Sequence, residues 1–240
     1  MDALQMQAFA KINLGLDVLF KRPDGYHEVN MVMQSITLTD TLILSHKNGA
    51  DVITCNQPSV PVDEGNIAMK AWRRLQNAYN LPNGLQIHIE KTIPVAAGLA
   101  GGSANAAAVL HGVNRLFQLG LPLETLQAHG LTLGADIPFS LLGGTALAQG
   151  VGERLSPLPA CPTLHVLAVN PNFPVPTPKV YQNLRLDAIA ERPNINGLIK
   201  AVQGGDAEAV LKNIGNVLEF SSFVLYPVLR ELKQEIAACG

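Results

Sequence analysis

The 240-residue chain has no excess charge of either sign, with 17 Lys and Arg against 19 Asp and Glu, a formal net charge of −2 and a pI near 6.3. No run of Lys or Arg forms a local positive field, so neither nucleic acid nor an anionic membrane is an expected partner. The three cysteines, Cys55, Cys161 and Cys239, lie far apart, with no paired spacing and no histidine cluster beside them. That excludes a disulfide framework and a zinc site, and a reducing cytoplasm is the compartment expected. The N-terminus has no cationic, apolar signal pattern. Residues 92–114 hold no Asp, Glu, Lys or Arg, but Pro94, four glycines, Ser103, Asn105 and His111 make them a poor membrane span. Repeats and low-complexity segments are absent. Two nucleotide-binding signatures are missing as well. There is no Gly-x4-Gly-Lys-Ser/Thr, which removes the ordinary P-loop ATPases, and no acidic residue stands where a Rossmann site needs one.

What the chain does have is 48% hydrophobic residues, ample for a core, and one glycine-rich stretch of unusual composition. Residues 94–108 read Pro-Val-Ala-Ala-Gly-Leu-Ala-Gly-Gly-Ser-Ala-Asn-Ala-Ala-Ala. Before them Leu85, Ile87 and Ile89 alternate with Gln86, His88 and Glu90, so the order is strand, glycine loop, helix. Gly98, Gly101 and Gly102 allow φ > 0 and a close approach of backbone to ligand. Ser103 is the expected N-cap of a helix over 104–117. Unpaired N–H groups and the dipole at that helix start favour an anion. A mobile Gly/Ala loop before a buried helix is the alternative on composition alone.

Along the chain, strands are expected near 4–20, 29–46 and 85–92, helices near 66–79, 104–117 and 123–130, and extended structure near 145–155. The class is α+β. Pro157, Pro159 and Pro162 mark a domain boundary, which divides the chain into 1–157 and 158–240. Beyond it a strand is expected over 164–169, then a Pro-rich loop over 171–178. Three amphipathic helices follow on the spacings Ile195/Leu198/Ile199/Val202, Ala207/Val210/Leu211/Ile214 and Leu225/Leu229/Leu232/Ile236, with Gly240 as the last C-cap.

Four places carry chemistry. In the first strand Phe9, Lys11, Asn13, Gly15 and Asp17 share one face and Ala10, Ile12, Leu14, Leu16 and Val18 the other, so Lys11 and Asn13 point together from a rigid element or lie on a solvated sheet face. A Pro-Asp-Gly turn at 23–25 precedes Tyr26 and His27, a ring and an imidazole able to stack on a base and read its edge, or a partly buried pair at a strand start. Asp136, in Gly-Ala-Asp-Ile-Pro, is either a placed acid or an N-cap. Pro176-Thr177-Pro178 is a stiff loop before Tyr181.

Taken in order, Ala-Lys11-Ile-Asn13-Leu, Pro-Asp-Gly25-Tyr26-His27, Pro94-x3-Gly98-Leu99-x-Gly101-Gly102-Ser103, Gly134-Ala-Asp136-Ile-Pro and Pro176-Thr177-Pro resemble the 4-diphosphocytidyl-2-C-methyl-D-erythritol kinases. These form a family within the galactokinase, homoserine kinase, mevalonate kinase and phosphomevalonate kinase superfamily. The resemblance implies an N-terminal domain like ribosomal protein S5, a C-terminal ferredoxin-like domain and an active site in the cleft between them. It implies ATP-dependent phosphorylation of a hydroxyl on the methylerythritol part of a cytidine diphosphate conjugate, in the non-mevalonate isoprenoid pathway. Asp136 is then the catalytic base, and Lys11 stabilises charge on the reacting oxygens. Pro94, Val95, Ala96, Ala97, Gly98, Leu99, Ala100, Gly101, Gly102, Ser103, Ala104 and Asn105 wrap the ATP phosphates, with Asn66 and Lys91 nearer the adenosine. Asn13 positions the methylerythritol end, Tyr26 and Tyr181 flank cytosine, His27 reads its edge and Thr177 contacts the substrate nearby. Mg2+ is expected with ATP, held on phosphate oxygens and water.

Two departures bear on this. Ala100 and Ala104 stand where related sequences commonly have Gly and Ser. The family also continues into a Met-Ser-Gly-Ser-Gly-Pro type segment and further strands not found in this chain, so an incomplete C-terminal domain and low activity are expected. A truncated or non-catalytic nucleotide-binding relative is the alternative.

Overall fold

The computed structural model describes residues 3–171, 173–189 and 191–239. Two compact units share the chain: residues up to Ile12 with Ser35–Gly143, and Asn13–Gln34 with the residues from Gly144 on. The long strands β1 (Leu4–Lys21) and β2 (His27–His46) contribute to both. The sequence boundary at Pro157 therefore differs from the spatial division, which follows Gly143 and assigns residues 13–34 to the second unit.

In the first unit the end of β2 pairs antiparallel with β4 (Leu85–Glu90), from Thr41 opposite Glu90 to His46 opposite Leu85, and β4 pairs parallel with β3 (Val52–Cys55). The alternation expected of β4 is realised. Leu85, Ile87 and Ile89 are buried against Leu42 and Leu44 in one core with Trp72 and Leu75 of α1 (Ile67–Tyr79). Helix α2 (Gly101–Leu116) presents Ala104, Ala106, Ala107 and Ala108 to that core. Its small residues allow close approach: a Cβ on Gly112 would sit 2.2 Å from Leu44 Cδ1. Helices α3 (Leu123–Leu131) and α4 (Ile137–Leu142) complete the unit.

In the second unit the start of β2 pairs antiparallel with β5 (Thr145–Gly150), and β5 with β6 (Arg154–Pro157). The later part of β1 pairs parallel with β7 (Gly215–Asn216). The helices are α5 (Thr177–Gln182), a 3-10 turn at Leu186–Ala188, α6 (Ile195–Gly204), α7 (Ala207–Lys212), α8 (Leu218–Leu225) and α9 (Pro227–Ala238). The face of β1 expected to be polar is covered here. A Cβ on Gly15 would lie 2.8 Å from both Ile195 Cδ1 and Leu198 Cδ2 of α6, and Asp17 is buried with Arg192 Nη1 at 2.6 Å.

Two expectations are corrected. Residues 164–169 form no strand, and Val166, Leu167 and Val169 are exposed. An apolar run becomes a strand only where a neighbour supplies the ladder, and no described strand pairs with this one. Helix α2 begins at Gly101, three residues earlier than expected, so Ser103 is in its first turn and is not the N-cap. Gly240 lies outside the described residues; Cys239 is the C-cap of α9.

Candidate active site

Lys11 leaves β1 toward the turn that opens α4. Its Nζ is 3.7 Å from Asp136 Oδ1, with the Lys11 side chain 8% and the Asp136 side chain 39% exposed. Asp136 occupies the N-cap position of α4, yet its side chain makes no capping hydrogen bond, and its backbone there is already helical, φ −82° and ψ −13°. The N-cap alternative thus fails on geometry, leaving a carboxylate open on one side and an ammonium ion on the other. Such a pair can take a proton from an approaching hydroxyl and stabilise the oxygen left behind.

The glycine loop adjoins this pair directly. The backbone N–H of Lys11 donates to the Leu99 carbonyl at 3.1 Å. The loop bends through left-handed backbone at Ala96 (φ 57°), Gly98 (φ 74°) and Ala100 (φ 56°), not at Gly101 or Gly102, which are helical. Ala100 caps α2 through its carbonyl, which accepts the Ala104 N–H at 2.9 Å. The N–H groups of Gly101, Gly102 and Ser103 precede that first helical bond, at the positive end of a 16-residue helix. Ile67, at the start of α1, lies near both ends of this arrangement: its Cγ2 would be 3.5 Å from a Cβ on Gly102, and its Cδ1 3.9 Å from one on Gly134.

Asn66 caps α1, accepting from the Ala68 N–H at 2.9 Å and donating to the Pro61 carbonyl at 2.6 Å. Lys91 is nearly buried and ion-paired to Asp40, and it donates to Asn105 Oδ1 at 3.2 Å. Both have structural partners, and Asp40 is a buried acidic partner that motif reading missed.

The second unit gathers the expected base-binding groups. The Arg22–Gly25 turn is closed by the Gly25 N–H donating to the Arg22 carbonyl at 3.1 Å, and the Tyr26 N–H donates to Asp24 Oδ1 at 3.1 Å. Tyr26 is exposed beyond the turn, and the His27 ring lies 5.1 Å from that of Tyr181 at an interplanar angle of 32°. Burial first, and Lys21 second, push the His27 imidazole below its ordinary 6.5, so it is neutral at neutral pH. A neutral imidazole offers one donor and one acceptor to a base edge. Thr177 is exposed at the start of α5, and Asn13 is partly buried on β1.

Comparison with known proteins shows the family. Residues 66–144 match the GHMP kinases N terminal domain. The 4-diphosphocytidyl-2-C-methyl-D-erythritol kinase of Acetivibrio thermocellus is 43% identical over 240 residues, covering 100% of this chain and 85% of the relative. That of Lachnoclostridium phytofermentans is 42% identical over 241 residues, covering 100% and 83%. A crystal structure of 4-(cytidine 5'-diphospho)-2C-methyl-D-erythritol kinase superposes with a TM-score of 0.77 at 34% identity, covering 98% of this chain and 83% of that one. A homoserine kinase from Cytophaga hutchinsonii shares the fold, with a TM-score of 0.72 at 18% identity over 100% of this chain and 80% of that one. With such identity across its whole length, the chain belongs to the 4-diphosphocytidyl-2-C-methyl-D-erythritol kinase family of the GHMP kinases.

Proposed function

We propose that the protein transfers the γ-phosphoryl group of ATP to the 2-hydroxyl of 4-diphosphocytidyl-2-C-methyl-D-erythritol, in the cytoplasm and in the non-mevalonate isoprenoid pathway. The observation that carries this is the Lys11–Asp136 pair, tethered by the Lys11 N–H to a glycine loop that ends on a helix N-terminus. Asp136 takes the proton of the acceptor hydroxyl, the hydroxyl oxygen bonds to the γ-phosphorus, and ADP departs with the electrons of the broken P–O bond. Lys11 offsets the negative charge on the reacting oxygens. Residues 94–105 hold the phosphates, with Asn66 and Lys91 toward the adenosine. Asn13, Tyr26, His27, Thr177 and Tyr181, all residues of the second compact unit, hold the cytidine substrate.

Among the described residues no group of three or more His, Cys, Asp or Glu could cage a metal ion. Donors this sparse suit Mg2+ that arrives on ATP, retaining phosphate oxygens and water as ligands and neutralising phosphate charge. The alternative of a non-catalytic nucleotide-binding relative is less favoured, because both chemically committed side chains are in place. Incubating the chain with ATP, Mg2+ and, separately, the cytidine conjugate, homoserine, mevalonate and galactose tests the reading. ADP release above background is expected only with the cytidine conjugate; release with another acceptor, or with none, contradicts it.

A further inference from the structure

Asp40 is a fully buried carboxylate in the middle of β2, and the proposed chemistry has no use for it. Its Oδ1 accepts the backbone N–H groups of Thr92 at 2.7 Å and Ile93 at 2.8 Å. Its Oδ2 accepts Asn105 Nδ2 at 2.8 Å and pairs with Lys91 Nζ. Lys91 closes the triangle by donating to Asn105 Oδ1 at 3.2 Å. All four donors meet one carboxylate, so its desolvation is offset by charge-assisted bonds on both oxygens.

The positions of those donors in the chain make this more than a satisfied core ion pair. Thr92 and Ile93 immediately precede Pro94, where the glycine loop begins, and Asn105 stands in the second turn of α2, where it ends. Between them the loop holds two alanines in left-handed backbone, a conformation that persists only where its surroundings fix it. Gly101 is also explained here. A Cβ on it would lie 3.0 Å from Lys91 Nζ and 3.0 Å from Ile93 Cγ2, so its missing side chain leaves room for the ammonium group under the helix start.

We infer that Asp40 is a positioning residue for nucleotide binding, clamping both ends of the 94–104 loop so that its backbone keeps the shape that receives the ATP phosphates. The inference rests on the kinase reading for the identity of the ligand, whereas the clamp itself is a property of the chain without nucleotide.

Asp40→Asn tests it by removing the charge while keeping the shape. Hydrogen exchange without nucleotide should quicken at the Ile93 and Ala104 amides, and at the Lys11 amide that bonds to Leu99. ATP affinity should fall roughly tenfold or more, the loss expected when charge-assisted bonds are weakened. The KM for the cytidine substrate should stay within about twofold, a split that a general loss of stability does not produce. If Asp40→Asn does not fold, the double variant Asp40→Ala/Lys91→Met removes the buried charges together, and the same amides are read. Unchanged exchange at all three amides overturns the clamp in either variant. Faster exchange with unchanged ATP affinity overturns its role in nucleotide binding. Should the wild type bind no ATP, the kinase reading fails, and the exchange data still decide the clamp.

Discussion

Two glycines four residues apart should respond oppositely to the same substitution. Gly98 has φ 74° and nothing within 4 Å of where a Cβ would be placed, so Gly98→Ala meets no steric contact and exposes only the cost of left-handed backbone. That cost is about 1–2 kcal/mol, offset in part by about 0.4–1 kcal/mol from the stiffer unfolded chain. A net loss of ~1 kcal/mol is expected. Gly102 is in the first turn of α2, and an added Cβ would make ordinary contact with Ile67 Cγ2 at 3.5 Å. There the unfolded-state term and helix propensity act together, and Gly102→Ala should stabilise by ~0.5 kcal/mol. In a chain of this size 1 kcal/mol moves Tm by about 2–4 °C. Thermal and urea unfolding without nucleotide read both variants. Shifts of the same sign and similar size would refute the assignment of left-handed backbone to Gly98 and helix to Gly102.

His27→Ala should raise the KM for the cytidine substrate about tenfold, the worth of one or two buried hydrogen bonds, and leave the KM for ATP unchanged; parallel increases in both would remove His27 from base recognition. Because its folded pKa is below the ordinary 6.5, the His27 contribution to stability and to binding is complete above pH 6.5 and is lost as pH falls through the folded value. An NMR titration of His27 with a midpoint above 6.5 would contradict this. Gly15→Ala, which places a methyl 2.8 Å from two methyl carbons of α6, should cost about 1–3 kcal/mol in urea unfolding, and a neutral result would mean that α6 does not seat on β1 as described.

Local pattern made much of the first unit legible. The alternation in β4, the amphipathic stripe of α1 and the alanine run of α2 each name a buried face without reference to any other segment. Asp40 was legible too, although motif reading passes over it. It shares a strand face with Leu42 and Leu44, Lys91 continues the register of Leu85, Ile87 and Ile89, and Asn105 interrupts an alanine run. Three polar residues at core positions have to find one another, because none can remain buried alone.

The misreadings arose where the outcome depends on distant partners. Residues 164–169 have the composition of a strand, and whether they become one depends on a neighbour. Ser103 has the chemistry of an N-cap, but the left-handed turn at Ala100 ends the loop before the chain reaches it. The cover over Gly15 and Asp17 comes from Arg192, Ile195 and Leu198, nearly 180 residues further along, which no periodicity within β1 could disclose.

Replacing one oxygen tests the central claim most directly. Asp136→Asn keeps the size and position of the side chain beside Lys11 and removes its ability to accept the hydroxyl proton. Formation of phosphorylated cytidine conjugate from ATP and Mg2+, followed by 31P NMR under saturating substrates, should fall by about 10²- to 10⁴-fold with both KM values nearly unchanged. Turnover within a fewfold of wild type would show that Asp136 is not the base and that the Lys11–Asp136 pair does not carry the reaction.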